Sequence, residues 1–150
     1  MRGRGLRAVD ARRVLAAAAC LLVAAGCGKG VGPVVTVEGK VLMDGAPLSN
    51  ASVTYFPDAS RGNQAKVMVT GQTDADGEYR LATEDATGTR AKGTLLGWYK
   101  VVVETRSFEK PDNGKNVHVN KKYTSVATTD LSVEVVKKPA ENQYTLQVTR

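Results

Sequence analysis

Hydrophobic and polar residues alternate along most of the chain after residue 33, and this period of two is typical of half-buried β-strands. No segment shows convincing helical periodicity. We expect the apolar side chains of each alternating segment to face a core and the polar ones to face solvent. The alternation predicts seven strands, over residues 34–43, 51–57, 67–73, 78–83, 98–106, 131–136 and 143–149.

Turn residues separate these segments. Asp44-Gly45 and the Asp-Ala-Asp-Gly sequence of residues 74–77 predict tight turns, in which glycine supplies a positive φ. The polar segment 58–66 predicts a loop, and residues 107–124 predict a longer one. Seven short antiparallel strands are best satisfied by two sheets packed face to face, so the expected fold is an all-β, immunoglobulin-like sandwich. An open barrel is the alternative.

The first 27 residues follow a different pattern. Five arginines among residues 1–13 precede an uninterrupted apolar run over residues 14–25, which is the order of a secretory signal. A helix over this run would span roughly 18 Å, well short of the roughly 30 Å hydrocarbon core of a bilayer. An ordinary secretory signal cut near Gly26 is one interpretation, and a twin-arginine signal through Arg12-Arg13 is a weaker one.

The small residues Ala25 and Gly26 directly before Cys27 resemble the lipobox of bacterial lipoproteins. This resemblance implies that the Cys27 thiol is acylated and that Cys27 becomes the N-terminus after cleavage. Ala24 departs from the pattern, which usually has a larger aliphatic residue there. The implied organisation is a lipoprotein signal peptide over 1–26, a lipidated anchor and linker over 27–33, and one domain over 34–150.

Cleavage before Cys27 changes the charge of the chain. The full sequence has 21 basic and 15 acidic residues, and loss of five arginines and one aspartate leaves 16 and 14. The basicity therefore belongs to the leader, and the domain offers no support for a nucleic-acid partner. Cys20 lies in the leader and Cys27 at the anchor, so we expect a domain without disulfides, held together by its core.

The candidate chemistry in the domain is sparse. His118 is the only histidine, whereas zinc sites and Ser-His-Asp triads need several placed partners, so we interpret it as a surface residue. The Asp74–Gly77 sequence is similar to the start of a calcium loop, but a predicted strand follows at Tyr79 and favours a turn. Lys110, Lys115 and Lys121-Lys122 place positive charge on the long loop, and contact with anionic lipid or polymer is one interpretation, but we expect solvated loop charge. No catalytic, metal or cofactor site is predicted.

The aromatic residues suggest one binding surface. Most tyrosines fall on inward-facing strand positions, where their burial favours packing. Trp98 and Tyr123 are the two aromatics expected to be exposed, and they are the candidates for contact with a ligand such as a sugar ring.

Several short motifs follow one another along the domain. They are Val37-Glu38-Gly39-Lys40-Val41, Asp44 to Leu48, Ala51 to Pro57, Thr73 to Tyr79, Gly97 to Val103, and Lys122-Tyr123 with Ala127-Thr128 and Leu131 to Val135. In this order they resemble the carboxypeptidase regulatory-like domain, a transthyretin-like β-sandwich. The similarity spans nearly all of residues 34–150, and its last part is similar to a version common in small planctomycete lipoproteins. Asn120 departs from that version, which usually has proline there. The resemblance implies an accessory, extracytoplasmic module without catalysis.

Two functions follow as expectations. The first is a non-enzymatic module, bound to the membrane through lipid on Cys27 and serving a structural or protein-interaction role in the bacterial cell envelope. The second is a carbohydrate-binding module at the cell surface that uses Trp98 and the long loop. The partner, whether envelope protein or glycan, the membrane face and the oligomeric state are not encoded in any recognisable motif.

Overall fold

A computed structural model describes residues 34–84, 88, 90–105 and 118–150, which form an all-β fold. The predicted signal peptide (1–26) and anchor with linker (27–33) lie outside the described residues. Within the part of the chain that is described, no helix is both long and apolar enough to cross a membrane. Two 3-10 helices, Ala59–Arg61 and Lys121–Thr124, accompany the strands.

Twelve strands occur among the described residues, and they are numbered here in chain order. They are β1 (Val34–Val35), β2 (Glu38–Met43), β3 (Ala46–Pro47), β4 (Ala51–Pro57), β5 (Val69–Gln72), β6 (Glu78–Arg80), β7 (Ala82–Glu84), β8 (Arg90–Lys92), β9 (Thr94–Leu95), β10 (Gly97–Thr105), β11 (Ser132–Val135) and β12 (Thr145–Val148).

These strands form three sheets. The largest has six strands in the order β11-β10-β4-β5-β7-β8, and every pair in it is antiparallel. In the second sheet β2 is central, with β12 on one side and with β3 and β6 pairing different parts of β2. The third is the short antiparallel pair of β1 and β9.

The core is built from the inward residues of the two larger sheets, as their alternation predicts. β2, β4, β10, β11 and β12 each contribute buried side chains to one continuous hydrophobic cluster. Its fully buried members with the largest side chains are tyrosines from β4, β6 and β10. The residues predicted to face the core and found buried are Val37, Val41, Met43, Val53, Tyr55, Tyr99, Val101, Val103, Val133, Val135, Tyr144, Leu146 and Val148.

The predicted strand over 78–83 is two strands in two different sheets. β6 pairs with β2, whereas β7 pairs with β5, and the break falls at Leu81. The Leu81 amide donates to Val37 O and its carbonyl accepts from Gly93 N, so the backbone stays hydrogen-bonded where the chain changes sheets. The alternation runs on through Leu81 and therefore conceals the break. Strands β3, β8 and β9 were also not predicted.

One strand pair departs from the expected antiparallel arrangement. β12 runs parallel to β2, with Leu146 opposite Val41 and Val148 opposite Met43. A parallel pair needs a long crossover connection, and here the connection is residues 44–144, which make up most of the domain. The apolar alternation of β12 marks its buried face but carries no information about its direction, so the expectation of antiparallel pairing is wrong at this pair.

Candidate functional site on the outer face of the six-stranded sheet

The outer face of the six-stranded sheet carries the side chains that alternate with the core residues of β4 and β10. Phe56 lies opposite Lys100 in the register of these two strands, and Trp98 lies two residues before Lys100 on β10. Phe56 and Trp98 are therefore diagonal neighbours on one face, within reach of large side chains. Tyr55 and Tyr99, the adjacent residues, are fully buried on the other face.

Pockets for small ligands are typically of roughly 300–1,000 Å³, and the outer face has a groove of ≈ 630 Å³. Ser52, Thr54 and Thr70 line this groove together with the apolar residues Phe56 and Met68. The rest of its lining includes charged groups, among them Arg90, whose Nε lies 3.1 Å from Glu84 Oε2. The groove thus combines one aromatic ring with several hydrogen-bonding groups.

Four large apolar residues lie at or next to the end of this face where β10 begins, and we call them the end patch: Phe56 on β4, Met68 just before β5, Trp98 on β10, and Leu96, which directly precedes β10. Met68 is 62% exposed and Leu96 is 39% exposed, and they are the exposed large hydrophobic residues of the described chain. Phe56 and Trp98 are half-buried. Exposed apolar groups that cluster in this way mark interaction surfaces more often than isolated ones do.

The turn after β4 fixes the position of Trp98. The Trp98 carbonyl accepts hydrogen bonds from Asp58 N at 3.0 Å and from Asn63 Nδ2 at 2.9 Å. The guanidinium of Arg61 lies 4.1 Å from the centre of the indole ring, within cation–π range. One part of the ring is therefore covered by Arg61, and the Trp98 carbonyl is held by one backbone donor and one side-chain donor.

Local chemistry explains why this turn forms. Asp58 caps the 3-10 helix Ala59–Arg61 by accepting from Ser60 N at 3.1 Å and from Ser60 Oγ at 2.6 Å. These hydrogen bonds lower the pKa of Asp58 below its ordinary value. Gly97 has φ +131°, and a Cβ there would lie 3.1 Å from Asn63 Nδ2. Glycine is needed at this position for its conformation and for the close packing of Asn63.

The structure separates the two aromatics predicted to form a ligand surface. Trp98 lies on the outer face, but Tyr123 is only 4% exposed and belongs to the core cluster. The prediction that Tyr123 is exposed is wrong, because the 3-10 helix Lys121–Thr124 packs against β10 and turns this ring inward. Lys122 lies 4.6 Å from the centre of the Tyr123 ring and 2.8 Å from Asp130 Oδ2.

Sequence reasoning missed Phe56, Met68, Leu96 and Arg61 as neighbours of Trp98. One signal was available for Phe56, which falls on the otherwise polar side of the alternation in β4, with Ser52 and Thr54. A large apolar residue among polar ones on this side of β4 departs from the expected pattern, but only several such residues together indicate an interaction surface. Nothing in the linear pattern places the other three beside it.

A second groove, of ≈ 590 Å³, runs beside β2 and β6 and the segment before β12. Its charged groups pair across the strands: Arg80 Nε lies 3.0 Å from Glu38 Oε1, and Lys40 Nζ lies 3.9 Å from Glu78 Oε1. At its base, Gly39 leaves room for the Tyr79 hydroxyl to donate to Tyr144 O at 2.7 Å. This groove therefore reflects the packing of the second sheet, with its charges already engaged.

Among the residues that the structure describes, no group of three or more His, Cys, Asp or Glu side chains is arranged to hold a metal ion. His118 is exposed, at the start of the segment 118–120.

Comparison of the chain with protein-family models, with curated proteins and with solved structures finds no match. The resemblance to the carboxypeptidase regulatory-like domain therefore stays a prediction, and the functional assignment depends on the geometry and the sequence pattern.

Proposed function

We propose that this protein is a non-enzymatic, lipid-anchored module of the bacterial cell envelope with a structural or protein-interaction role. Its fold would be the immunoglobulin-like sandwich of carboxypeptidase regulatory-like domains. Support for the sandwich comes from the core, to which both large sheets contribute. The hydroxyls of Tyr55 on β4 and Tyr79 on β6 lie 2.8 Å apart, which joins the two sheets directly.

The proposal rests mainly on the short sequence distance between Cys27 and the first described strand. Val34 is already in a strand and pairs with Leu95, only seven residues after Cys27. Seven residues span at most about 25 Å when fully extended. A lipid on Cys27 would therefore keep the domain against the bilayer, whereas a module that reaches distant partners would need a longer linker.

The first test compares the mature full-length protein with its Cys27→Ala variant. We expect the native mass to correspond to a chain that begins at Cys27 and carries acyl groups, and we expect the protein to partition into detergent. Two acyl chains suffice for stable anchoring, since each buried methylene contributes about 0.8 kcal/mol. Cys27→Ala should be unacylated and should stay in the aqueous phase.

Cys20→Ala is the matched control, because it removes the other cysteine of the chain from within the predicted leader. This variant should be acylated and partition like the native protein. If the native protein is soluble, unacylated and cut at another residue, the lipid anchor is wrong, and the domain is instead a freely secreted module.

Carbohydrate binding is the second candidate function, favoured by one observation. The outer groove places the Phe56 ring beside the hydroxyls of Thr54 and Thr70, a combination of stacking and hydrogen-bonding groups that suits a sugar. Trp98→Ala and Phe56→Ala should both reduce retention on a glycan panel if this function is correct. Absence of glycan binding by the native protein across a broad panel would eliminate it.

A further inference from the structure

The end patch lies where the chain enters the domain. Leu95 pairs with Val34, the first described residue, and Leu96 and Trp98 follow Leu95 along the chain. Trp98 is three positions after Leu95 in the sequence, which limits the distance between their Cα atoms to about 10 Å. Val34, the described residue nearest to Cys27 in the sequence, therefore lies near Leu96 and Trp98, and an anchor at Cys27 would keep this end of the domain close to the lipid.

The chemistry around the patch suits the boundary between headgroups and acyl chains. Leu96 and Met68 present exposed apolar groups, and tryptophan is enriched at this depth because its ring is amphipathic. Arg61 lies over the Trp98 ring, and Lys66 lines the groove beside Met68. Basic side chains of this kind contribute attraction to anionic lipid at the membrane surface.

Other charged groups near the patch are engaged or less exposed, with the exception of Glu134. Glu134 lies opposite Trp98 on β11, and the carboxylate of Glu84 is engaged by Arg90. Lys100 is half-buried and directs its Nζ towards Val126 O at 3.5 Å. Arg61 and Lys66 are exposed residues, so they are the cations best placed to meet an anionic surface.

We propose that the end patch of Phe56, Met68, Leu96 and Trp98, with Arg61 and Lys66, rests on the anionic bilayer surface that holds the Cys27 lipid. This proposal rests on the proposed lipid anchor and adds an orientation to it. The turn at Asp44-Gly45 lies at the other end of β2 from β1 and would face away from the membrane.

Trp98 is the only tryptophan of the chain, so its fluorescence reports on the patch alone. The acylated full-length protein is reconstituted in vesicles of phosphatidylcholine with or without phosphatidylglycerol, each prepared with and without brominated acyl chains. We expect bromine to quench Trp98 strongly in the anionic vesicles and weakly in the neutral ones. Co-sedimentation with the vesicles is measured on the same samples and reports on the anchor.

The charge variants Lys66→Gln and Lys121→Gln form a matched pair. Lys121 is exposed near the opposite end of β2, since the neighbouring Asn120 amide donates to Thr149 O, just after the residue that pairs with Met43. Loss of one cation at an anionic surface should lower the equilibrium constant for docking roughly fivefold. We expect this decrease for Lys66→Gln and not for Lys121→Gln.

Quenching of Trp98 and co-sedimentation with vesicles distinguish an error in the proposed docking of the patch from an error in the proposed lipid anchor. If the protein co-sediments but Trp98 is not quenched, or if Lys66→Gln and Lys121→Gln behave alike, the docking of the patch is wrong and the lipid anchor stands. If the native protein carries no acyl group and does not co-sediment, the anchor itself is wrong, and with it the proposal that rests on it.

Discussion

Two groups of aromatic side chains lie back to back on the six-stranded sheet, and consecutive residues contribute to opposite groups. On β4, Tyr55 is buried and Phe56 is outward; on β10, Tyr99 is buried and Trp98 is outward. The inner rings of Tyr55 and Tyr99 pack with centroids 5.7 Å apart. The alternation of the strand alone decides which aromatic goes to the core.

The inner group is polar at its tips and fully hydrogen-bonded. The Tyr55 hydroxyl lies 2.8 Å from that of Tyr79, which donates to Tyr144 O at 2.7 Å. Tyr99 donates to Leu95 O at 2.9 Å. Among the described residues, no buried side-chain nitrogen or oxygen is without a hydrogen-bond partner. The tyrosines are thus held by hydrogen bonds within the core, whereas Phe56 and Trp98 are half-buried on the outer face, where Arg61 lies over part of the indole ring.

The two groups should differ most in how far the truncation of one ring lowers the free energy of unfolding. The adjacent residues Tyr55 and Phe56 allow a direct comparison. Tyr55→Ala should lower the free energy of unfolding by roughly 3–5 kcal/mol, because it removes a fully buried ring and leaves a cavity. Phe56→Ala should cost about 1 kcal/mol or less, since its ring is half-buried on the outer face. Urea unfolding of both variants, followed by circular dichroism, measures the difference.

Trp98→Ala is a further control for this comparison, since it truncates an outer ring on the other central strand. Similar costs for Tyr55→Ala and Phe56→Ala would contradict the division of the sheet into a structural and an available face. It would also mean that Phe56 is part of the core, which would weaken its role in the end patch.

The inner group is predictable from the sequence, because buried strand positions produce a local alternation of apolar and polar residues. Alternating apolar residues identify the core positions of β4, β10, β11 and β12, and these are buried as expected. The sequence does not reveal the short strands β3, β8 and β9. Arg90–Lys92 has no apolar alternation, and its pairing with β7 is a consequence of the surrounding sheet.

The outer group depends on contacts that are distant in sequence. Met68 and Phe56 come from different strands or their flanks, and Arg61 reaches Trp98 only because the turn after β4 folds over the start of β10. For Tyr123 the error is the opposite one. The sequence predicts exposure because its segment is polar, but long-range packing buries the ring. These neighbours depend on the order of the strands in the sheet and on where the chain turns back over β10. The alternation of apolar and polar residues predicts neither.

A smaller effect is expected from removing the hydroxyl of Tyr79, which lies on the second sheet and is hydrogen-bonded to Tyr55 of the inner group. Tyr79→Phe keeps the ring but deprives both the Tyr55 hydroxyl and Tyr144 O of a partner. Unpaired buried polar groups cost about 1–3 kcal/mol, so this variant should be less destabilised than Tyr55→Ala. Tyr144→Phe is the matched control, since that hydroxyl only accepts a 3.3 Å bond from Val136 N, and it should cost less than Tyr79→Phe.

The same hydroxyl should affect stability at alkaline pH. Burial raises the pKa of both Tyr55 and Tyr79 above the ordinary value, so the folded state keeps both protonated when the unfolded chain ionises. Their contribution is fully present below about pH 10 and decreases as pH rises above it, because the unfolded state then binds fewer protons. Each tyrosine contributes a slope of at most about 1.4 kcal/mol per pH unit. Tyr79→Phe should therefore lose free energy of unfolding less steeply between pH 10 and 11 than the native protein. Equal slopes in urea titrations at these pH values would show that Tyr79 ionises in the folded state as readily as in the unfolded one.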